Sequence, residues 1–364
     1  MNLNEARTEW QAERASLEER GFIALDSVSM YLPAEWKRNP KLAVDAQPTL
    51  STDPNSGIPS LLTTVIDPEV IRVVFTPLQF ANILTERKYG DWLEETRIFP
   101  VVEETGEVSS YGDFNNNGRA GVNLNFPNFQ SYLFQTFVRY GERELERAGL
   151  AKINYVSELN ISAADLLNRF QNYSYAFGVG GLQNYGIINN PYLSAYLTPA
   201  TKAAGGTTWF SGNAPNATAN EVYNDIVALV ERLINQTNGT VELDDEMTLV
   251  MGPSSAVALT FANTFGVNVK DLLKDNYPKL KIMTAPQYAQ QTGNNPQGYS
   301  TAGNAMQLIV KSIAGQETAY AAFNEKLRAH KIIPEPSAWQ QKMTSGTWGT
   351  ITRLILGITG MLGI

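Results

Sequence analysis

The sequence predicts an α+β chain organised around one long helix, and three observations lead there. Residues 162–193 carry an amphipathic helix that runs into a glycine-rich turn. Residues 218–311 alternate helix and strand patterns, which implies a small mixed sheet flanked by helices. Residues 95–140 hold strand patterns only, separated by a polar, glycine-rich tip.

The long helix is read from spacing. Ala163, Leu166, Leu167, Phe170, Tyr173, Ser174 and Phe177 recur at steps of three and four, so they share one face. Ser162, with Asp165 three positions on, is the expected N-terminal cap. Gly178, Gly180 and Gly181 are the expected stop, because glycine enters left-handed backbone without a Cβ penalty. The turn G-I-I-N-N-P follows, from Gly186 to Pro191.

Taken from the start, the chain opens on a charged segment. Eight of the first twenty residues are Asp, Glu, Lys or Arg, and Leu3, Ala6, Trp10 and Leu17 make only a narrow apolar stripe. Such a helix builds no core alone. It reads either as a solvated terminal helix or as an arm that orders against a neighbouring subunit, with Trp10 as its anchor. Pro33, Pro40, Pro48, Pro54 and Pro59 mark an extended connector. Asp67-Pro68-Glu69 opens a helix, and Thr76-Pro77 opens a second that runs to Leu84.

In the ribbon region, strands are expected at residues 97–102, 107–113 and 132–140, with residues 114–121 as the tip. A two-stranded ribbon is marginal by itself in water, so this one needs another surface. A short helix is expected at 143–148. Beyond the loop-rich passage 193–215, Thr218 and Glu221 form a capping box for a helix whose apolar face is Val222, Tyr223, Ile226, Leu229, Val230 and Leu233. Asn238-Gly239 ends it. Strands at 247–251, 281–283 and 307–311 and helices at 256–265 and 270–275 complete the mixed sheet. The apolar run 348–358 is too short to span a bilayer, which takes about 20 residues, and Arg353 interrupts it; it reads as a buried strand.

Composition excludes several classes. The 364 residues are 43% hydrophobic and 18% charged, which describes a folded chain. The net charge of -8 opposes a grip on nucleic-acid phosphates but not a container that holds DNA loosely. There is no cysteine, so thiolate chemistry is absent. The one histidine, His330, sits in a basic run and reads as a surface or strand-face residue rather than a catalytic one. No apolar signal core marks export, and no cleavable leader is expected before the arm.

The search for chemistry yields no catalytic residue, cofactor or metal ligand. Gly178-Val179-Gly180-Gly181 follows a helix and lacks the third glycine of a dinucleotide fingerprint. Met251-Gly252-Pro253-Ser254-Ser255 sits at a strand-to-helix turn, yet it is not G-x-S-x-G and no base accompanies it. The acid pairs Glu94-Glu95, Glu103-Glu104 and Asp244-Asp245 are adjacent in sequence, so on a strand they point apart.

The helix with its glycine stop and G-I-I-N-N-P, together with the tail G-T-W-G-T-I (Gly346 to Ile351) and the final Gly363-Ile364, resembles major capsid proteins of tailed bacteriophages. That resemblance implies the Hong-Kong-97-like capsid fold. It divides the chain into an N-terminal arm (1–65), a peripheral domain (66–96 and 136–192) with the spine helix at 162–177, and an extended loop (97–135). An axial domain (193–315) and C-terminal strands (316–364) follow. It implies a non-enzymatic subunit that assembles with itself, as pentamers and hexamers, into the icosahedral head of a virion built in the host bacterium's cytoplasm. Scaffold, portal and decoration proteins are the further partners, double-stranded DNA is enclosed without specific binding, and no membrane is involved. The expected inter-subunit contacts are Trp10, Tyr111, Phe114 and Arg119. Some members of the family crosslink their shells through a lysine on the loop; here no lysine lies between Lys88 and Lys152. An encapsulin-type nanocompartment shares the implied fold and is the nearest alternative. An acid-pair hydrolase with a β-rich body is the second.

Overall fold

The computed structural model describes residues 77–150, 154–212, 214–293 and 295–364. The arm, the proline-rich connector, Trp10 and the helix expected at Asp67 lie outside these residues. The main elements are α1 (Phe80–Ile83), β1 (Glu86–Lys88), β2 (Thr96–Ile98), β3 (Val101–Glu107), β4 (Arg119–Asn125), β5 (Asn128–Gln130), β6 (Tyr132–Gly141), α2 (Glu142–Leu150) and α3 (Tyr155–Phe177). They continue with β7 (Gly178–Val179), β8 (Asn184–Tyr185), α4 (Ala219–Gln236), β9 (Met247–Met251), α5 (Val269–Asn276), β10 (Leu280–Thr284), β11 (Ala305–Val310), β12 (Ala319–Glu335), β13 (Ala338–Thr352) and β14 (Ile358–Leu362). Helix and sheet both contribute, as the α+β reading requires.

Two four-stranded sheets carry the body. The first has the order β1-β12-β13-β6, and the second β10-β9-β11-β14. In the first, the long β12–β13 hairpin is antiparallel and β6 extends it from Thr347↔Tyr132 to Ala338↔Gly141. In the second, β9 runs parallel to β10 and antiparallel to β11. Alternation along β9 and β11 sends their side chains to opposite faces. Leu249, Met251, Leu308 and Val310 pack against Val222, Ile226, Leu229 and Leu233 of α4. Val250 and Ile309 pack on the other side, against Tyr175, Ile187 and Ile188.

The α4 cap forms as the sequence predicts. The Glu221 N–H donates to Thr218 Oγ1 and the Thr218 N–H donates to Glu221 Oε2. Backbone donation from Thr218, then from Ala203, holds the Glu221 carboxyl below its ordinary range. A depressed carboxyl supports the fold above its unfolded pKa, and that support fades as pH falls through the folded value. Thr218→Ala is expected to lower stability by about 1 kcal/mol, read as a shifted urea midpoint with unchanged slope.

Four expectations shift in register or extent. The spine helix starts at Tyr155, with Asn154 as N-cap and no side-chain cap bond; Ser162 lies exposed within it. Tyr155, Val156 and Leu159 pack with Val138, Tyr140 and Met343, and this burial extends the helix upstream of its local start signal. The strand expected at 97–102 is split, because Pro100 has no N–H for a ladder. The strand expected at 107–113 ends at Glu107. There the β3–β4 ladder stops at Glu107↔Arg119, and the Asn115 amide bonds Ser109 Oγ and Ser110 O to curl the chain. The helix expected at 256–265 is only Pro253–Ala256 plus a tighter turn to Thr260; Asn263 Oδ1 then accepts from the N–H groups of Phe265 and Val267 and holds a loop instead.

The apolar run 348–358 is not one strand. It leaves the first sheet at Thr352 and enters the second at Ile358. The N–H groups of Arg353 and Leu354 both donate to Thr318 O at the crossing.

Candidate assembly surfaces

The spine helix owes its seat to polar as well as apolar contacts. Ala163 and Leu167 are buried against Val138, Tyr140 and Met343 of the first sheet. Further along, the buried face turns to Gln171, Asn172, Ser174, Tyr175 and Ala176. Asn172 Oδ1 accepts from the Phe80 N–H at 3.1 Å, the Ser174 and Thr347 hydroxyls share a bond of 2.8 Å, and Thr350 Oγ1 donates to Tyr175 O at 2.8 Å. Tyr175 donates its hydroxyl to Glu86 Oε1 at 2.9 Å. Burial first, and the Glu86 charge second, push its phenol far above the ordinary value, so it stays a donor. Spacing of apolar residues could not reveal Gln171 or Asn172, because nothing in a pattern of three and four separates a buried amide from a solvated one.

At the helix end only Gly178 and Gly181 take positive φ; Gly180 does not. Gly178 has φ 67°, and a Cβ there would sit 2.1 Å from Asn184 O, so two independent constraints demand glycine. The G-I-I-N-N-P turn then folds back on the helix. The Ile187 and Ile188 N–H groups donate to Tyr175 O and Ala176 O, and the Asn189 amide donates to Phe177 O. Both isoleucines are fully buried at the seam between the two sheets. Gln307 of the second sheet donates to Ile187 O at 3.1 Å, which locks that seam.

From this packed body one element projects. Every residue of β3 and β4 is exposed. The ribbon's root is anchored: Phe99 and Phe129 pack edge to face at 5.4 Å, Tyr89 stacks on Phe99, and the Phe99 N–H donates to Pro127 O. Beyond the root, no residue of β3 or β4 is buried by the described residues. At the tip Tyr111 and Phe114 are 94% and 100% exposed, and Tyr111 donates only to Asp113. Arg119 is exposed at the ladder's end, opposite Glu107. The structure thus brings Tyr111, Phe114 and Arg119 to the outer part of one ribbon; Trp10 lies outside the described residues.

The residues weighed for chemistry do not converge. Ser255 is fully buried, while His330 lies on β12 of the other sheet, with Nε2 2.9 Å from Thr344 Oγ1 and its ring edge-on to Trp92. Glu103 and Glu104 are exposed on opposite faces of β3, and Asp245 accepts from the Glu242 N–H in a surface turn. Among the described residues no group of three His, Cys, Asp or Glu could hold a metal ion, and no helix is long and apolar enough to cross a membrane.

The family model of the Pa193 gp26 major capsid protein matches residues 49–363. The chain belongs to that family. It is a major capsid protein, a shell-forming phage subunit, as the helix, turn and tail motifs imply. Solved capsids carry the same fold. The capsid of the myovirus phage XM1 superposes with a TM-score of 0.68 at 15% identity, over 84% of this chain and 99% of that one. The capsid of cyanophage P-SCSP1u gives 0.54 at 10% identity, over 87% and 98%. The capsid of an empty GTA particle gives 0.52 at 12%, over 83% and 96%. These are Hong-Kong-97-like capsid folds, and this capsid subunit shares it. A comparison with curated proteins finds no match.

Proposed function

We propose that the subunit closes into an icosahedral phage head of pentamers and hexamers, held together by limbs laid over neighbouring copies. One observation carries this reading: a ribbon whose strands β3 and β4 are exposed at every residue, standing on a body with packed hydrophobic clusters. Tyr111, Phe114 and Arg119 are the ribbon's contact residues, and Trp10 anchors the arm. The chain then divides into an arm (1–65), a peripheral domain (66–96 and 136–192), an extended loop (97–135), an axial domain (193–315) and C-terminal strands (316–364); the last supply β12 and β13 to the first sheet and β14 to the second. Many modest contacts suffice in a closed shell, since each later one forms within an already joined assembly.

The shell would enclose double-stranded DNA without gripping it, in keeping with the net charge of -8. It would be assembled in the host bacterium's cytoplasm, with scaffold, portal and decoration proteins as partners, and without catalytic work. Purified full-length chain is expected to sediment as large particles and to show closed shells by negative-stain microscopy. A chain that stays monomeric at high concentration would overturn the reading. Because no lysine lies between Lys88 and Lys152, denatured shells are expected to run as single chains, with no covalent ladder from the loop on gels or in mass spectra.

A further inference from the structure

The ribbon has two chemically different faces, fixed by its register. Paired residues in an antiparallel ladder share a side, and successive pairs alternate. The pairs Val102↔Leu124, Glu104↔Val122 and Gly106↔Ala120 therefore share one face. The pairs Val101↔Asn125, Glu103↔Asn123, Thr105↔Gly121 and Glu107↔Arg119 share the other. The second face is polar apart from Val101 and has internal partners: the Asn123 amide donates to Glu103 Oε2 at 3.2 Å, and Asn125 Oδ1 accepts from the Phe126 N–H at 2.8 Å. The first face is apolar apart from Glu104. Val102, Val122 and Leu124 on it are 58%, 59% and 60% exposed, and none of the described residues covers them.

The first sheet offers a matching surface. Val138, Tyr140 and Met343 point to the spine helix, so the alternate residues Leu133, Phe137 and Lys342 point away from it. Ile333 joins them through its pairing with Gln340. Leu133, Phe137 and Ile333 are 40%, 51% and 62% exposed. The Lys342 ammonium lies 5.8 Å from the centre of the Phe137 ring. Among the described residues neither Lys342 nor Arg328 has a carboxylate within ion-pair distance. The ribbon has the opposite balance: Glu103, Glu104, Glu107 and Asp113 against Arg119 alone.

We infer that the ribbon lies with its Val102/Val122/Leu124 face down on the spine-averted face of a neighbouring copy's first sheet, around Phe137, with Glu104 meeting Lys342. The inference rests on the ribbon overlapping a neighbour and adds which side touches and where it lands. Apolar side chains leave water on contact. A carboxylate among them must find a cation or cost the contact dearly. The polar face stays in solvent.

Two adjacent positions on β4 test the sidedness in the full-length chain. Leu124→Asp puts a charge on the docking face; Asn125→Asp puts the same charge on the solvent face and keeps the acceptor for the Phe126 N–H. Leu124→Asp is expected to cut shell yield at least tenfold by sedimentation and negative-stain microscopy, with an unchanged melting midpoint for the unassembled subunit. Asn125→Asp is expected to assemble like the parent. Equal behaviour of the two overturns the sidedness, while the overlap itself stands or falls on removal of the ribbon. Glu104→Lys is expected to lose shells and Glu104→Lys with Lys342→Glu to regain them; failure of the second change to restore them overturns the landing place.

Discussion

Replacing residues 100–126 with a short glycine–serine turn is expected to give a folded subunit that builds no shell. The excised ribbon is exposed throughout β3 and β4, so its removal uncovers little apolar surface. The root survives, because the Phe99 N–H to Pro127 O bond closes the new hairpin and the Phe99–Phe129–Tyr89 cluster is retained. Stability should therefore change by no more than the ±0.5 kcal/mol typical of surface changes. Assembly should fail outright, because every copy would lose the proposed ribbon contact with a neighbour at once. Sedimentation velocity and microscopy read the loss, and a thermal melt reads the intact fold. Shells of normal yield from the shortened chain would refute the overlap. A shortened chain that does not fold would show that the ribbon belongs to its own body.

The second large effect concerns stability. Asp225 on α4 is buried, and its Oδ2 accepts from Lys202 Nζ at 2.5 Å and from Trp209 Nε1 at 2.7 Å. Lys202 is 3% exposed and Trp209 fully buried. The carboxylate thus pins the loop 193–217 to the helix. Asp225→Ala leaves an ammonium and an indole N–H buried without a partner. Breaking a buried pair in this way costs about 3–5 kcal/mol, a large part of the roughly 5–15 kcal/mol that holds a domain folded. Urea denaturation of the unassembled subunit should show it. The double change Lys202→Met with Asp225→Leu should recover part of the loss, falling short by the unpaired Trp209 N–H, about 1–3 kcal/mol. A single-mutant loss under about 1 kcal/mol would show that the pair does not hold the loop.

Local signals in the chain were enough for several elements. The Thr218–Glu221 box, the β9 strand and the β6 strand all form where their residues place them, since capping chemistry and side-chain alternation act over a few positions. The G-I-I-N-N-P turn and the glycine stop were visible as motifs. Why Gly178 must be glycine was not, because the obstructing atom, Asn184 O, comes from the strand that pairs with it.

Distance along the chain explains what stayed hidden. The spine helix begins upstream of Ser162 because β6 and β13 supply an apolar bed that no local pattern announces. The run 348–358 serves two sheets because Thr318 captures Arg353 and Leu354 at the crossing. Lys202, Trp209 and Asp225 meet over a loop whose residues give no periodic signal. The sequence by itself determined most of the helices and strands, wherever capping and alternation act locally, and that a polar, glycine-rich tip separates the strands of residues 95–140. The tertiary structure alone decided which side of the ribbon is apolar, because a single strand's alternation acquires a meaning only when its partner's register is set.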